Sequence, residues 1–267
     1  MKRKDNLIAI LLGLFLSFIS PTSFAQTIAD YSALPPFMSR SLLPNIMLVV
    51  DNSGSMLRFA YFDGWTTPEE DDDNWGTNSS TPCTQFNPSF TYYGYFKPDY
   101  WYRYSSSRFY ESNPKTSPKQ SNDWDGNFLN WLTMRRVDVL RKALTGGRVV
   151  ASGSENRLVA EAPDSSSRGR YKQITNAQNY TPFSGTVLFD VYASGGTARI
   201  TVGSNSYDIK VAVGTTPTGV LQQVGTKARW GLTFFNTDHQ GGKVYYSVTD
   251  RNLSTLTGSV LNAINNT

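Results

Sequence analysis

Asp51, Ser53 and Ser55 stand two residues apart in Asp51-Asn52-Ser53-Gly54-Ser55, directly after the apolar run Asn45-Ile46-Met47-Leu48-Val49-Val50. One carboxylate and two hydroxyls are hard oxygen donors of the kind that a magnesium, manganese or calcium ion accepts. Three of them on one turn fill about half of an octahedral shell and leave the rest to water or a partner's oxygen. Gly54 permits the sharp turn. A purely local use of the same residues is an Asx or Ser turn that closes a strand-to-helix junction. An exported hydrolase with Ser53 or Ser55 as nucleophile is a further option, but no base is indicated. The single histidine, His239, lies in the loop-forming stretch Asp238-His239-Gln240-Gly241-Gly242, with no nucleophile near it. One His and one Cys also exclude most zinc sites. The residues read as a binding site, not an enzyme.

The elements that must hold this loop are legible around it. The run 45–50 is continuously apolar, which suits a strand covered on both faces at the centre of a parallel sheet. The C-terminal end of such a strand is where open α/β sheets place ligands. Residues 128–144 carry Leu129, Leu132, Val137, Leu140, Ala143 and Leu144 at helical spacing. Asp125 or Asn127 can cap the start of that helix and Gly146-Gly147 stops it. Residues 228–235 read as a second central strand, 243–248 as a further strand, a short stretch at 219–224 and residues 256–264 as helices. Three alternating segments, 186–193, 197–202 and 206–213, are separated by Ser194-Gly195-Gly196 and Gly203-Ser204-Asn205 and predict an antiparallel meander. Strand, helix, strand, helix with an inserted meander is an α/β order.

Residues 57–127 break the pattern. They hold 18 of the 36 aromatic residues, as in Tyr92-Tyr93-Gly94-Tyr95-Phe96, and read as a long loop insertion. Three uses fit: a local core, a protein-contact surface or a platform for sugar rings. The acidic run at Glu69, Glu70, Asp71, Asp72 and Asp73 lacks a calcium-loop pattern and reads as solvated charge. Asp123-Trp124-Asp125-Gly126-Asn127 resembles half a calcium loop, but its place before the helix makes it a cap.

The chain has 267 residues, 39% apolar and 17% charged, with a net charge of +4. That balance suits a folded, loop-rich protein and gives no electrostatic case for nucleic-acid binding. Lys2, Arg3 and Lys4 precede an apolar run of about 13 residues and Ser23-Phe24-Ala25, which together make residues 1–25 a secretory signal peptide. The run is too short for a retained membrane span, for which about 20 residues are needed. Residues 26–44, with Pro35-Pro36 and Pro44, form an extended lead-in. In an exported chain, lone Cys83 is either a buried thiol or half of a pair with a cysteine outside the chain.

Residues 46–56, IMLVVDNSGSM, resemble the opening of a von Willebrand factor A domain, where this loop begins a metal-ion-dependent adhesion site. Residues 123–147, DWDGNFLNWLTMRRVDVLRKALTGG, resemble the PilY-type tip adhesins and assembly factors of bacterial type IV pili, and KARWGLTFFN (227–236) and VLNAINNT (260–267) resemble the same family's later strand and helix. The resemblance implies an α/β, Rossmann-like von Willebrand A sheet across residues 45–267, incomplete at its C-terminus, with insertions at about 57–127 and 148–217. It implies Asp51, Ser53 and Ser55 as ligands of Mg2+, or of Mn2+ or Ca2+, in a partial adhesion site. The threonine and acidic loops that complete such a site have no counterpart here, and Thr267 lacks the matching context. The expected setting is an N-terminal portion of a longer or truncated pilus protein in the periplasm, on the cell surface or at the pilus tip. Its expected partners are minor pilins and host or surface ligands. The alternative is an exported carbohydrate- or protein-binding module that uses the aromatic insertion, with the Asp51 loop only structural.

Overall fold

The computed structural model describes residues 43–61, 76–163, 168–235, 241–248 and 260–266. The expected signal peptide, nearly all of the lead-in, the acidic run at 69–73 and His239 lie outside these residues. In chain order the described elements begin with β1 (Asn45–Val50) and a 3-10 turn at Gly54–Leu57. Strands β2 (Tyr100–Ser105), β3 (Arg108–Pro114) and β4 (Trp124–Asp125) lead to helices α1 (Gly126–Thr133) and α2 (Arg136–Thr145). Then come β5 (Val149–Ser152), β6 (Glu155–Val159), β7 (Tyr171–Ile174), β8 (Val187–Ser194), β9 (Thr197–Val202), β10 (Asn205–Asp208) and β11 (Lys210–Val213). The chain ends with α3 (Val220–Val224), β12 (Arg229–Phe235), β13 (Gly242–Tyr246) and α4 (Leu261–Asn265).

Among the described residues three sheets result, ordered β1-β12-β13, β10-β9-β8-β7 and β4-β2-β3-β11-β6-β5. The fold is mixed α/β, as the element order predicts. β1 pairs in parallel with β12, from Asn45 opposite Arg229 to Val50 opposite Phe234. The expectation that β1 is covered on both faces is corrected. Val50 is buried and Ile46 and Leu48 half-buried on one side, whereas Met47 and Val49 are 42% and 65% exposed on the other. Every second side chain turns to the opposite face of a strand, so only the even-numbered residues of β1 meet the helices. With Trp230, Leu232 and Phe234 of β12 they pack against Leu140 and Leu144 of α2, Leu221 of α3, and Leu261 and Ile264 of α4.

The single helix expected over 128–144 is two helices. Met134 and Arg135 are extended, and the backbone groups they withhold from the helix are taken up by residues 58–60. Ala60 N–H donates to Met134 O at 3.0 Å and Arg136 N–H to Arg58 O at 3.1 Å. Backbone groups paired in this way make the break inexpensive. The start of the helix is as expected: the Asp125 carboxylate accepts from Phe128 N–H at 3.0 Å. Gly146, at φ 89°, terminates α2 in the left-handed conformation that favours glycine.

The two expected insertions form one body. The meander forms as β8 and β9, with its hairpin turned by Gly195 and Gly196 at φ 58° and 73°, a pair of positive dihedrals that suits a tight hairpin. The third segment divides at buried Ile209: β10 stays with β9, while β11 crosses to pair antiparallel with β6 and, at one position, parallel with β3. Residues 57–127 are therefore not one unstructured loop, since 100–125 supply three strands. Tyr92, Tyr95, Phe96, Tyr102, Phe109 and Trp124 are buried with Phe128 and Trp131 of α1. Most of these rings meet edge to face, for example Phe96 on Tyr102 at 5.0 Å and Phe109 on Trp124 at 5.7 Å, the packing that aromatic quadrupoles favour. Of the three uses open to the insertion, the local core is the one these rings take up.

Candidate functional site

Asp51, Ser53 and Ser55 are brought together at the C-terminal end of β1. The Asp51 carboxylate accepts the backbone N–H of Ser53 at 2.7 Å. The hydroxyls of Ser53 and Ser55 lie 2.6 Å apart, because Ser53 is extended and the 3-10 turn starting at Gly54 brings Ser55 back beside it. Asp51 does close an Asx turn, but a carboxylate has about four acceptor positions, so one N–H leaves capacity for a cation. The donor set of one carboxylate and two adjacent hydroxyls fits a hard divalent ion. No group of three or more His, Cys, Asp or Glu side chains occurs among the described residues, and this loop does not depend on one.

Behind the loop lies a cavity of about 110 Å³, lined on one side by Val50, Asp51 and Ser53 and on the other by Leu140, Arg141, Glu161 and Ile264. Arg141 is 2% exposed. Its guanidinium donates to Glu161 Oε1 at 3.1 Å and to Ile264 O at 3.2 Å, so α2 ties the terminal helix and the end of β6 to the wall of this cavity. One turn earlier, buried Asp138 accepts the N–H groups of Glu161 at 3.1 Å and Arg135 at 3.3 Å. Burial pushes its carboxyl up to about 7, against the pull of the Arg141 charge.

The exit of the loop is pinned by Arg135. This fully buried guanidinium donates to Gly169 O at 2.8 Å, Val191 O at 2.9 Å and Leu57 O at 3.4 Å, and its Cζ rests 3.7 Å from the centre of the Phe59 ring. Burial lowers it to about 9. Lys172, also fully buried, sits 4.1 Å from the same ring and donates to Tyr61 O at 2.6 Å. By holding the backbone at 168–169, Arg135 also fixes where Arg168 stands. The Arg168 guanidinium lies directly against Gly54, so that a Cβ built at position 54 would meet its Cζ at 2.7 Å and Nη1 at 2.8 Å.

The three residues expected at the site lie together in one loop after β1. Sequence reasoning missed Arg168, which lies in a Ser-rich stretch with no local signal, and the burial of Arg135 and Arg141. The break at 134–135 is what turns Arg135 inward. The half calcium loop at 123–127 is a cap and an ion-pair site: buried Asp123 accepts from Arg103 Nε at 2.7 Å and Asp125 from Lys115 Nζ at 2.6 Å. Cys83 is completely buried, and its backbone is bound into the edge of β7, with Gln173 N–H donating to its carbonyl at 2.8 Å. No helix among the described residues is long and apolar enough to cross a membrane.

A family model described as PilY1 homolog, small alpha/beta domain, matches residues 83–219, the body formed by the two insertions and the helices between them. Two proteins of Xylella fastidiosa (strain Temecula1), each named type IV pilus biogenesis factor PilY1 homolog, are similar to parts of the chain. One is 42% identical over 60 residues, 21% of this chain and 4% of that protein. The other is 36% identical over 106 residues, 34% of this chain and 8% of that protein. The chain thus matches less than a tenth of the length of either relative. No solved structure matches.

Proposed function

The chain belongs to the PilY1 homolog family of type IV pilus factors, and on that premise we propose that it is an exported, non-enzymatic adhesin or pilus assembly module that binds partners through a metal-ion-dependent site. β1 and β12 form the first strands of a von Willebrand A-like sheet. Asp51, Ser53 and Ser55 would hold Mg2+ or a similar ion, which would attract an acidic oxygen of a minor pilin or surface ligand. The residues' own work is positional: β1 aims the loop, the Asx turn fixes Asp51, and the 3-10 turn sets the hydroxyls side by side. The observation that carries this reading is the 2.6 Å approach of the two hydroxyls at the end of a strand in a parallel pair.

Three oxygens on one loop make a weak site, so titration calorimetry of the full chain with Mg2+ or Mn2+ should register binding at millimolar metal. Asp51→Ala should abolish it. Identical isotherms for the two proteins would show that the loop is structural only. The carbohydrate reading of the aromatic insertion gains nothing from the fold, since its central rings are interior.

A further inference from the structure

The Arg168 guanidinium is the nearest feature to the Asp51 loop that nothing in the metal reading uses. It presses on Gly54, the residue between the two hydroxyl donors, with Cζ and Nη1 both within 3 Å of where a Cβ would stand. Its approach is anchored: the buried Arg135 guanidinium donates to the carbonyls of Arg168 at 3.5 Å and Gly169 at 2.8 Å. The loop it touches at Gly54 carries the Asp51 carboxylate and two hydroxyl dipoles, which attract cations. A guanidinium held against Gly54 stands one residue from both hydroxyl donors without binding their oxygens, and it repels a divalent ion arriving at the loop, since Coulomb energies over several ångström remain appreciable even in high dielectric.

We propose that Arg168 is a built-in cation of the Asp51-Ser55 loop that competes with the divalent ion, so that loading the site requires Arg168 to be displaced from Gly54. The proposal rests on the metal reading and adds its regulation. Gly54 has no positive φ, so the turn itself does not require the glycine expected to permit it; the space its missing Cβ leaves is what admits the guanidinium. A partner that draws Arg168 away, through a carboxylate of its own, would raise the affinity of the loop for the ion, and by linkage the ion would raise the affinity for that partner.

The test is Mn2+ titration of the full chain by calorimetry, on wild type, Arg168→Gln, Gly54→Ala and Asp51→Asn, at low salt and at about 0.5 M NaCl. Arg168→Gln removes the charge and Gly54→Ala evicts the side chain while keeping the net charge. Both should bind Mn2+ about tenfold more tightly than wild type, roughly the effect of one nearby unit charge on a divalent ion. The gain should shrink at high salt. If Arg168→Gln binds no more tightly than wild type, while Asp51→Asn still abolishes binding, the competition is refuted and the metal site stands. If Arg168→Gln tightens binding but Gly54→Ala does not, the contact at Gly54 is not the cause and the proposal falls. If wild type and Arg168→Gln both lack Asp51-dependent binding, the metal reading fails and takes the proposal with it.

Discussion

Asn130 is the strongest single test of the claim that the aromatic insertion is interior structure held by α1. Its side chain is completely buried and uses three hydrogen bonds on one loop: Nδ2 donates to Tyr92 O and Phe96 O, each at 2.8 Å, and Oδ1 accepts from Phe96 N–H at 3.0 Å. Asn130→Ala strands one N–H and two carbonyls away from water. Each stranded group costs about 1–3 kcal/mol, so the variant should lose about 3 to 5 kcal/mol once partial relaxation is allowed for. For a body of this size that corresponds to a fall in Tm of roughly 10 °C. Asn130→Asp should be as damaging, because the aspartate cannot donate to either carbonyl and its charge would be buried. Asn127, one turn away, makes two such bonds, to Tyr92 N–H and Phe90 O, and its alanine variant should lose less. Urea unfolding followed by tryptophan fluorescence measures all three. If Asn130→Ala came within about 1 kcal/mol of wild type, residues 90–96 would not be fixed by α1, and the buried rings of Tyr92, Tyr95 and Phe96 could join exposed Phe90 and Tyr93 as a binding platform.

Two further outcomes follow from buried groups. Burial raises the Asp138 carboxyl to about 7; an acid whose folded pKa lies above its unfolded value stabilises most when protonated, so its contribution is full below about pH 4 and lost as pH rises through about 7. Relative to Asp138→Asn, wild type should therefore lose about 2 kcal/mol between pH 5 and pH 7 in paired urea titrations, and a difference that is flat with pH would contradict the assigned burial. Cys83, with no exposed surface, should leave a thiol reagent unconsumed in the native protein and react with one equivalent in denaturant; rapid native labelling would place it at the surface.

What the sequence reveals, and what it conceals, divides along a physical line. Features that rest on local chemistry are legible: the Asp125 cap, the glycine turns of the β8-β9 hairpin, the oxygen donors after β1. Features that depend on distant chain are not. Nothing in residues 128–144 marks the break at Met134, because the helix interrupts where residues 58–60 arrive to pair with it, over seventy positions away. The same holds for Ile209, where one apolar strand pattern serves two sheets. The coverage of β1 was over-read for a related reason: a continuous apolar run is compatible with burial on both faces, but only neighbouring elements determine whether the second face is covered.

The break in the helix also leaves one helix, α2, between the body matched to the PilY1 homolog family and the sheet that carries the Asp51 loop. α2 packs Leu140 and Leu144 against the three-stranded sheet and Val139 against the aromatic core, so it is a wall common to both. Along it, Arg135, Asp138 and Arg141 fall three residues apart and each is buried. They bind, in turn, the exit of the loop and the backbone below Arg168, the start of the segment after β6, and the carbonyl end of α4. Arg135 in particular holds the carbonyls of Leu57, Arg168 and Gly169. On the proposed reading, the inserted body is the part of the protein that sets how readily the loop exchanges its arginine for an ion.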